Sequence, residues 1–201
     1  MAHSIQCSCG TLQGSIKRTD SVNRCICYCA DCQAFAHFLG RHGDILDDIG
    51  GTDIVQTQPK NVSFTAGTEK LACMKLTGNG LLRWYTTCCN TPIGNTPANF
   101  KMSFVGLIHN CLASTDQSLG SAFGPVRARV HTQAAKTDPK PKQIGLVSAV
   151  LRIMGMILKS RINGDYRQTP FFAADSGQPV AKPKVLNSQE FADIMSALQS
   201  R

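Results

Sequence analysis

The sequence predicts a mainly β domain followed by two helices, and three observations carry this prediction. Short runs of β-branched, aromatic and aliphatic residues recur up to about residue 110, separated by turn residues. A stretch rich in proline and lysine follows. The C-terminal part then shows apolar residues at helical spacing. A hydrophobic content of 42% and a charged content of 17% are typical of a globular chain.

The predicted strands are short and bounded by Gly, Asn or Thr, which favours antiparallel pairing. The segment at residues 40–60, with Gly50-Gly51, is expected to be a loop with one short strand. The strands are expected at residues 12–17, 62–65, 71–76, 81–86 and 102–108.

Prolines and lysines alternate at residues 126–143, which predicts an extended, hydrated linker between a β domain at residues 1–125 and a helical extension at residues 144–201. The first helix of the extension is expected at residues 144–161. Apolar residues occupy several of its faces, so we expect it to be buried against the β domain or a partner. Its main apolar face is formed by Val147, Val150, Leu151, Met154 and Leu158.

The second helix has a start signal, because Asn187 can cap it and Glu190 follows three residues later. Beyond this capping box the apolar residues fall on one stripe, which we expect to pack on the β domain. The stripe consists of Phe191, Ile194, Met195 and Leu198.

Positive charge is concentrated in the last third of the chain. Residues 126–201 hold twelve Lys and Arg against five Asp and Glu, whereas residues 1–125 are almost neutral. Such asymmetry indicates either a solvated basic face or an anionic partner. Aromatic residues are not interleaved with these charges, which disfavours nucleic-acid binding. The apolar run at residues 144–158 is too short to span a membrane and contains Arg152.

Ten cysteines are the strongest chemical signal in the sequence. The N-terminus lacks the charged and apolar segments of a secretion signal, so we expect a cytoplasmic protein. Clustered cysteines in a reducing compartment indicate metal binding, and a disulfide framework is the alternative. Cys7 and Cys9 point to the same side of an extended chain. Cys27, Cys29 and Cys32 can converge on one ion, as can Cys88 or Cys89 with the first pair.

Three short motifs resemble those of the glutathione-dependent formaldehyde-activating enzymes, also called the centromere protein V family. They are Cys7-Ser-Cys9-Gly10, Cys27-Tyr-Cys29-Ala-Asp-Cys32 and Cys89-Asn-Thr-Pro92. The resemblance covers residues 5 to about 110. It implies a β-tent fold with a closed structural zinc and a second, exchangeable zinc that keeps an open position.

By this resemblance, Cys7, Cys9 and Cys89 match three structural ligands, while Cys27, Cys29 and Cys32 match the open site. The sequence departs from the family where Thr86 occupies the expected position of the fourth structural ligand. Either Cys88 replaces that ligand with a distorted backbone, or the site is completed differently, weakened or lost. Asn90 also replaces the usual Gly.

The function that the resemblance implies is a zinc-dependent carbon–sulfur lyase acting on an adduct of glutathione or another small thiol. The alternative is a non-catalytic, zinc-stabilised scaffold whose basic C-terminal region binds a partner. No catalytic residue, substrate or oligomeric state follows from the sequence. Of the remaining residues, Cys25, Cys73 and Cys111 are expected to be buried thiols, and for Cys25 a role as a spare metal ligand is the alternative. His37 and His42 are expected in a surface loop, with a ligand role as the alternative.

Overall fold

The computed structural model describes residues 2–112 and 118–199, which form a mainly β fold with C-terminal helices, as predicted. The strands and helices are β1 (Ala2–Gln6), β2 (Gln13–Lys17), β3 (Asn23–Cys27), α1 (Ala30–Phe38), α2 (His42–Ile45), β4 (Thr52–Thr57), β5 (Val62–Ala66), β6 (Leu71–Lys75), β7 (Leu82–Thr86), β8 (Pro92–Thr96), β9 (Val105–Ile108), α3 (Leu119–Phe123), β10 (Ala128–Val130), α4 (Leu146–Asn163), β11 (Lys184–Val185) and α5 (Ser188–Gln199).

Two sheets organise these strands. The smaller has the order β1-β2-β5 and is antiparallel throughout. The larger has the order β10-β3-β4-β9-β8-β7-β6-β11. Its pairs are antiparallel except at the two ends, where β10 runs parallel to β3 and β11 runs parallel to β6. Both edge strands therefore come from the C-terminal third, which covers backbone groups that an edge would otherwise leave unpaired.

Each of the five predicted strands is present within a few residues, but the sequence missed others. β3 carries Cys25 and Cys27 and lacks a clear alternation of apolar and polar residues, so only its pairing with β4 reveals it as a strand. The short strand expected at residues 40–60 corresponds to β4. The sequence analysis does not predict α1, whose first turn contains Cys32 of the cysteine motif.

The linker expected at residues 126–143 is not an extended, hydrated connector along its whole length. Ala128 is fully buried, and the amide of Tyr28 donates to the carbonyl oxygen of Val130 at 3.1 Å. The backbone of β10 is thus hydrogen-bonded to the sheet instead of water, because the parallel edge beside β3 offers free donors and acceptors. Further along, Lys140 and Lys142 are exposed, as expected.

The C-terminal segment also supplies part of the main core. Trp84 is fully buried on β7, and its ring lies 5.2 Å from that of Phe171 and 6.2 Å from that of Phe172, measured between ring centroids. Trp84 therefore packs within the core of the strand domain. Residues 1–125 do not complete this core without the two phenylalanines.

Replacing Phe171 by alanine should lower the free energy of unfolding by about 3–5 kcal/mol, because a fully buried aromatic side chain is lost and a cavity is left. Leu158→Ala is the matched control, since Leu158 is 61% exposed and its truncation removes little buried area. Urea unfolding of both variants measures the difference. Equal midpoints for the two variants would show that the C-terminal segment is not part of the core.

The capping box of α5 forms as predicted. The amide of Glu190 donates to Asn187 Oδ1 at 2.9 Å, and the amide of Asn187 donates to Glu190 Oε2 at 2.9 Å. The predicted apolar stripe packs against a buried cluster that includes Phe35 and Met74. α5 is therefore held against α1 and the neighbouring end of the large sheet.

One of the two arrangements expected for α4, burial of its main apolar face against the β domain, is not observed, because that face is exposed. Only the small residues Ala149 and Ser160 are buried along this helix, and Ala149 packs in a cluster with Ala128 of β10. The carbonyl oxygen of Met156 accepts a hydrogen bond from Gln58 Nε2 at 2.8 Å on the same side. The outward face carries Val147, Val150, Leu151, Met154, Leu158 and Ile162, each at least 48% exposed.

Candidate metal centres

Four thiols from two distant parts of the chain meet at one site. The Sγ atoms of Cys7 and Cys9 are 3.5 Å apart, and Cys88 Sγ lies 3.9 Å from the first and 3.3 Å from the second. Cys89 Sγ lies 3.7 Å from that of Cys88. All four sulfur atoms are within 4.8 Å of one another. We refer to Cys7, Cys9, Cys88 and Cys89 as the four-thiol group.

A tight turn after β7 brings both adjacent cysteines to this group. Asn90 has φ of 52°, a left-handed conformation that glycine and asparagine adopt most readily. Its amide donates to the carbonyl oxygen of Thr86 at 2.9 Å and closes the turn. Asn90 is therefore an adequate replacement for the glycine expected from the resemblance. Of the alternatives left open by the sequence, the structure places the Cys88 thiol beside the other three.

Thr86 supports the turn from within. It is fully buried, its Oγ1 accepts a hydrogen bond from the amide of Thr91 at 3.2 Å, and the same oxygen lies 3.4 Å from Cys89 Sγ.

Arg41 connects the two loops that carry the four-thiol group. Its Nη1 donates to Ser8 Oγ at 2.6 Å and to the carbonyl oxygen of Cys89 at 3.2 Å. No motif in the sequence indicates this role of Arg41.

A second group of three thiols forms where β3 leads into α1. The Sγ atoms of Cys27, Cys29 and Cys32 lie within 4.8 Å of one another, and we refer to them as the three-thiol group. Cys29 is the N-cap of α1, where the amide of Cys32 donates to its sulfur at 3.4 Å. A helix N-terminus favours a thiolate at this position.

The three thiols differ in their affinity for protons. A hydrogen bond donated by Cys27, followed by one from Cys32, lowers the pKa of Cys29 to about 2. The same contact with Cys29 raises the pKa of Cys27. The hydrogen bonds within the group therefore favour the thiolate form at Cys29, which is the form that binds a metal ion.

Both groups fit a zinc ion by their donor chemistry and spacing. A tetrahedral zinc with sulfur bonds of about 2.3 Å separates its sulfur ligands by about 3.8 Å. Four of the six sulfur–sulfur distances in the four-thiol group are 3.3–3.9 Å, which brackets this value, and all six are within 4.8 Å. Four thiolates can complete the coordination of an ion, whereas three leave one position open. Thiolate ligands favour zinc over magnesium or calcium.

A cavity of about 470 Å³ opens beside the three-thiol group and is lined by all three of its cysteines. Apolar side chains form much of the remaining wall, including those of Ile54 and Phe104. Arg83 on β7 and His131, directly after β10, also line the cavity. An open ligand position at the three-thiol group would thus face a space large enough for a small molecule.

Sequence reasoning missed Arg83 and His131. Arg83 had one signal, since it is a single charge within the apolar strand at residues 81–86. No sequence signal indicated His131, because it lies in the predicted linker. It reaches the cavity only through the pairing of β10 with β3. Its φ of 55° is uncommon for a residue with a side chain and indicates a position set by tertiary structure.

The remaining cysteines and histidines lie outside both thiol groups. All ten cysteines are free, and Cys25, Cys73 and Cys111 are buried. Burial raises the pKa of each of these three thiols to about 12, which keeps them protonated. His37 and His42 stack with ring centroids 4.4 Å apart, on α1 and α2 instead of a loop. They line a different cavity from the three-thiol group.

Comparison with known proteins identifies a family without assigning a function. In the part of the chain that the structure describes, no helix is long and apolar enough to cross a membrane. No curated protein matches the chain. A crystal structure of a Rhodobacter sphaeroides protein is similar at 14% sequence identity and a TM-score of 0.38, covering 57% of this chain and 90% of that one. A family model described as a family of unknown function (DUF6151) matches residues 2–184, and the chain belongs to that family.

Proposed function

We propose that this protein is a zinc-dependent carbon–sulfur lyase that acts on an adduct of glutathione or another small thiol. The observation that carries this proposal is the three-thiol group, whose cysteines all line a cavity of about 470 Å³. A purely structural site gains nothing from a ligand position that faces such a space. The resemblance of the cysteine motifs to the formaldehyde-activating family supports the same reaction.

The two thiol groups are suited to different roles. The four-thiol group joins the N-terminal segment to the turn after β7, so a zinc bound there would stabilise the fold. The three-thiol group would hold an exchangeable zinc, which supplies an acidic position where a substrate thiol binds and loses its proton. α1 orients Cys29 through its N-cap hydrogen bond, and apolar side chains form part of the cavity wall beside the three-thiol group.

The reaction that fits this site needs no oxidant or reductant. In the synthetic direction the substrate thiol gives its proton to His131, and a sulfur lone pair forms the carbon–sulfur bond with the carbonyl carbon of an aldehyde. The π electrons of the carbonyl move to its oxygen, which takes the proton back from His131. In the lyase direction the hydroxyl proton moves to His131, the carbon–oxygen double bond re-forms and the carbon–sulfur bond breaks. The electron pair of that bond goes to the sulfur, which then takes the proton from His131.

Cobalt substitution tests the proposal directly. We expect glutathione to change the thiolate-to-metal absorption of the cobalt-loaded protein, because a further sulfur enters the metal's coordination shell. S-methylglutathione is the control, since it has the same shape but no free thiol. A spectrum that stays fixed at saturating glutathione and other small thiols would contradict the proposed function.

A second candidate function is supported by the outward face of α4, and we propose that this face binds an anionic membrane surface. The face is apolar over four turns, and the charged residues of α4 are all basic. They are Arg152, Lys159 and Arg161, and all three are exposed. An apolar stripe with basic neighbours is the pattern of an interfacial helix, in which each basic residue adds about 1 kcal/mol on anionic lipid.

Vesicle sedimentation of the full chain tests this second function. We expect binding to phosphatidylcholine vesicles that contain phosphatidylserine, little binding without it, and at least tenfold weaker binding for the double variant Leu151→Ser, Leu158→Ser. Val180→Ser is the control, because Val180 is exposed outside α4. Equal binding to neutral and anionic vesicles, or unchanged binding of the double variant, would contradict it.

A further inference from the structure

Arg83 is a buried cation in the same cavity as the three-thiol group. Its residue is 2% exposed, although it lies on β7 between the buried side chains of Leu82 and Trp84. A buried guanidinium loses its hydration and remains charged, since its pKa is too high for it to be neutralised. Such a group therefore needs compensating partners.

The hydrogen-bond partners of Arg83 within the protein are distant, although its charge also lowers the pKa of Cys29 in the three-thiol group. Its Nη1 donates to Asn95 Oδ1 at 3.4 Å, and its Nη2 donates to Asp31 Oδ2 at 3.3 Å. Both distances are longer than the usual range for such hydrogen bonds. The Asp31 side chain is also 62% exposed, so water screens its charge. The ring of Phe35 covers the guanidinium at 5.6 Å from its centroid and offers no hydrogen bond.

The rest of the cavity wall strengthens any ion pair formed there. Leu81, Ile54, Phe104 and Val130 line part of it with apolar surface, which lowers the local dielectric constant below that of bulk water. A carboxylate on a ligand would accept two parallel hydrogen bonds from the guanidinium, a geometry that the single contact with Asp31 does not provide.

We propose that Arg83 is the subsite that binds a carboxylate of the thiol substrate, so that the cavity selects acidic thiols. This inference rests on the proposed function, because it takes the three-thiol group as the place where the sulfur binds. A ligand with a thiol at one end and a carboxylate at the other would then be held at two points. Arg83 is a positioning residue in this arrangement, since it contacts the part of the substrate that does not react.

Pairs of small thiols, each an acid and its own methyl ester, test whether Arg83 binds a carboxylate. Mercaptoacetate, 3-mercaptopropionate and 4-mercaptobutyrate are each titrated into the cobalt-loaded protein beside their neutral methyl esters. We expect the acid of at least one length to bind tenfold or more tightly than its ester, as estimated for hydrogen bonds to a charged group. The carboxylate of each acid raises the pKa of its own thiol, so less of the acid than of the ester is present as the thiolate that binds the metal. Tighter binding of the acid would therefore occur in spite of this effect.

Substitution of Arg83 tests whether this residue causes the preference for acids over their esters. Arg83→Gln should weaken binding of the preferred acid about tenfold while the ester binds as before, so the ester reports whether the site is intact. Arg129→Gln is the matched control, because Arg129 is exposed on β10 and does not line the cavity. Arg83→Lys keeps the charge without the planar fork and should retain part of the preference.

The outcomes separate this inference from the proposed function. If no thiol changes the spectrum, the proposed function fails and this inference fails with it. If acids and esters bind equally at every length in the wild-type protein, only the carboxylate subsite is overturned. The same holds if Arg83→Gln keeps the full preference. Should Arg83→Gln not fold, the wild-type comparison and the Arg83→Lys titration decide the question.

Discussion

Replacing Cys7 by alanine should unfold the protein or lower its thermal stability severely. Cys7 is 3% exposed, and the amide of Leu12 donates to its sulfur at 3.2 Å, so the thiol is built into the fold. The free energy of binding a structural zinc is roughly 10 kcal/mol or more and is available only to the folded chain. This is comparable to the net stability of a domain of this kind, about 5–15 kcal/mol.

Thermal unfolding with metal analysis of the same samples measures the effect. The zinc content should fall by one ion per chain in Cys7→Ala, and removal of metal from the wild-type protein by a chelator should lower its unfolding temperature in the same direction. Cys73→Ala is the matched control, because Cys73 is equally buried and belongs to neither thiol group. Unchanged stability and zinc content in Cys7→Ala would contradict a structural metal at the four-thiol group.

Replacing Cys29 by serine should abolish the glutathione-dependent change in the cobalt spectrum and leave most of the fold in place. Cys29 carries the lowered pKa of the three-thiol group and caps α1, so its loss removes the thiolate that attracts the metal. A site with three ligands contributes less to folding than a closed site with four. Serine retains an N-cap oxygen, which limits the cost to the helix.

Circular dichroism and the cobalt titration together distinguish lost binding from lost structure. Cys25→Ala is the control, since Cys25 lines the same cavity and is a buried thiol outside the three-thiol group. It should keep both the native spectrum and the response to glutathione. A Cys29→Ser protein that still responds to glutathione would show that the thiol binds elsewhere. Catalysis by the three-thiol group would then have no support.

Local sequence determined the parts of this protein that depend on neighbouring residues. The capping box at Asn187 and Glu190 follows from a spacing of three residues along one chain segment. The strand around Trp84 follows from its run of β-branched, aromatic and aliphatic residues. Spacing within each cysteine motif likewise predicted which thiols converge, because two residues of an extended chain already place side chains on one side.

The tertiary structure decided what depends on distant pairing. β10 became an edge strand because β3 offered unpaired backbone groups, and this pairing brought His131 to the cavity. Phe171 entered the core beside Trp84 across a long separation in sequence. The apolar face of α4 points outward because the small residues on its other side approach the sheet more closely. Periodicity identifies an apolar face, but only the packing of the whole chain determines what covers it.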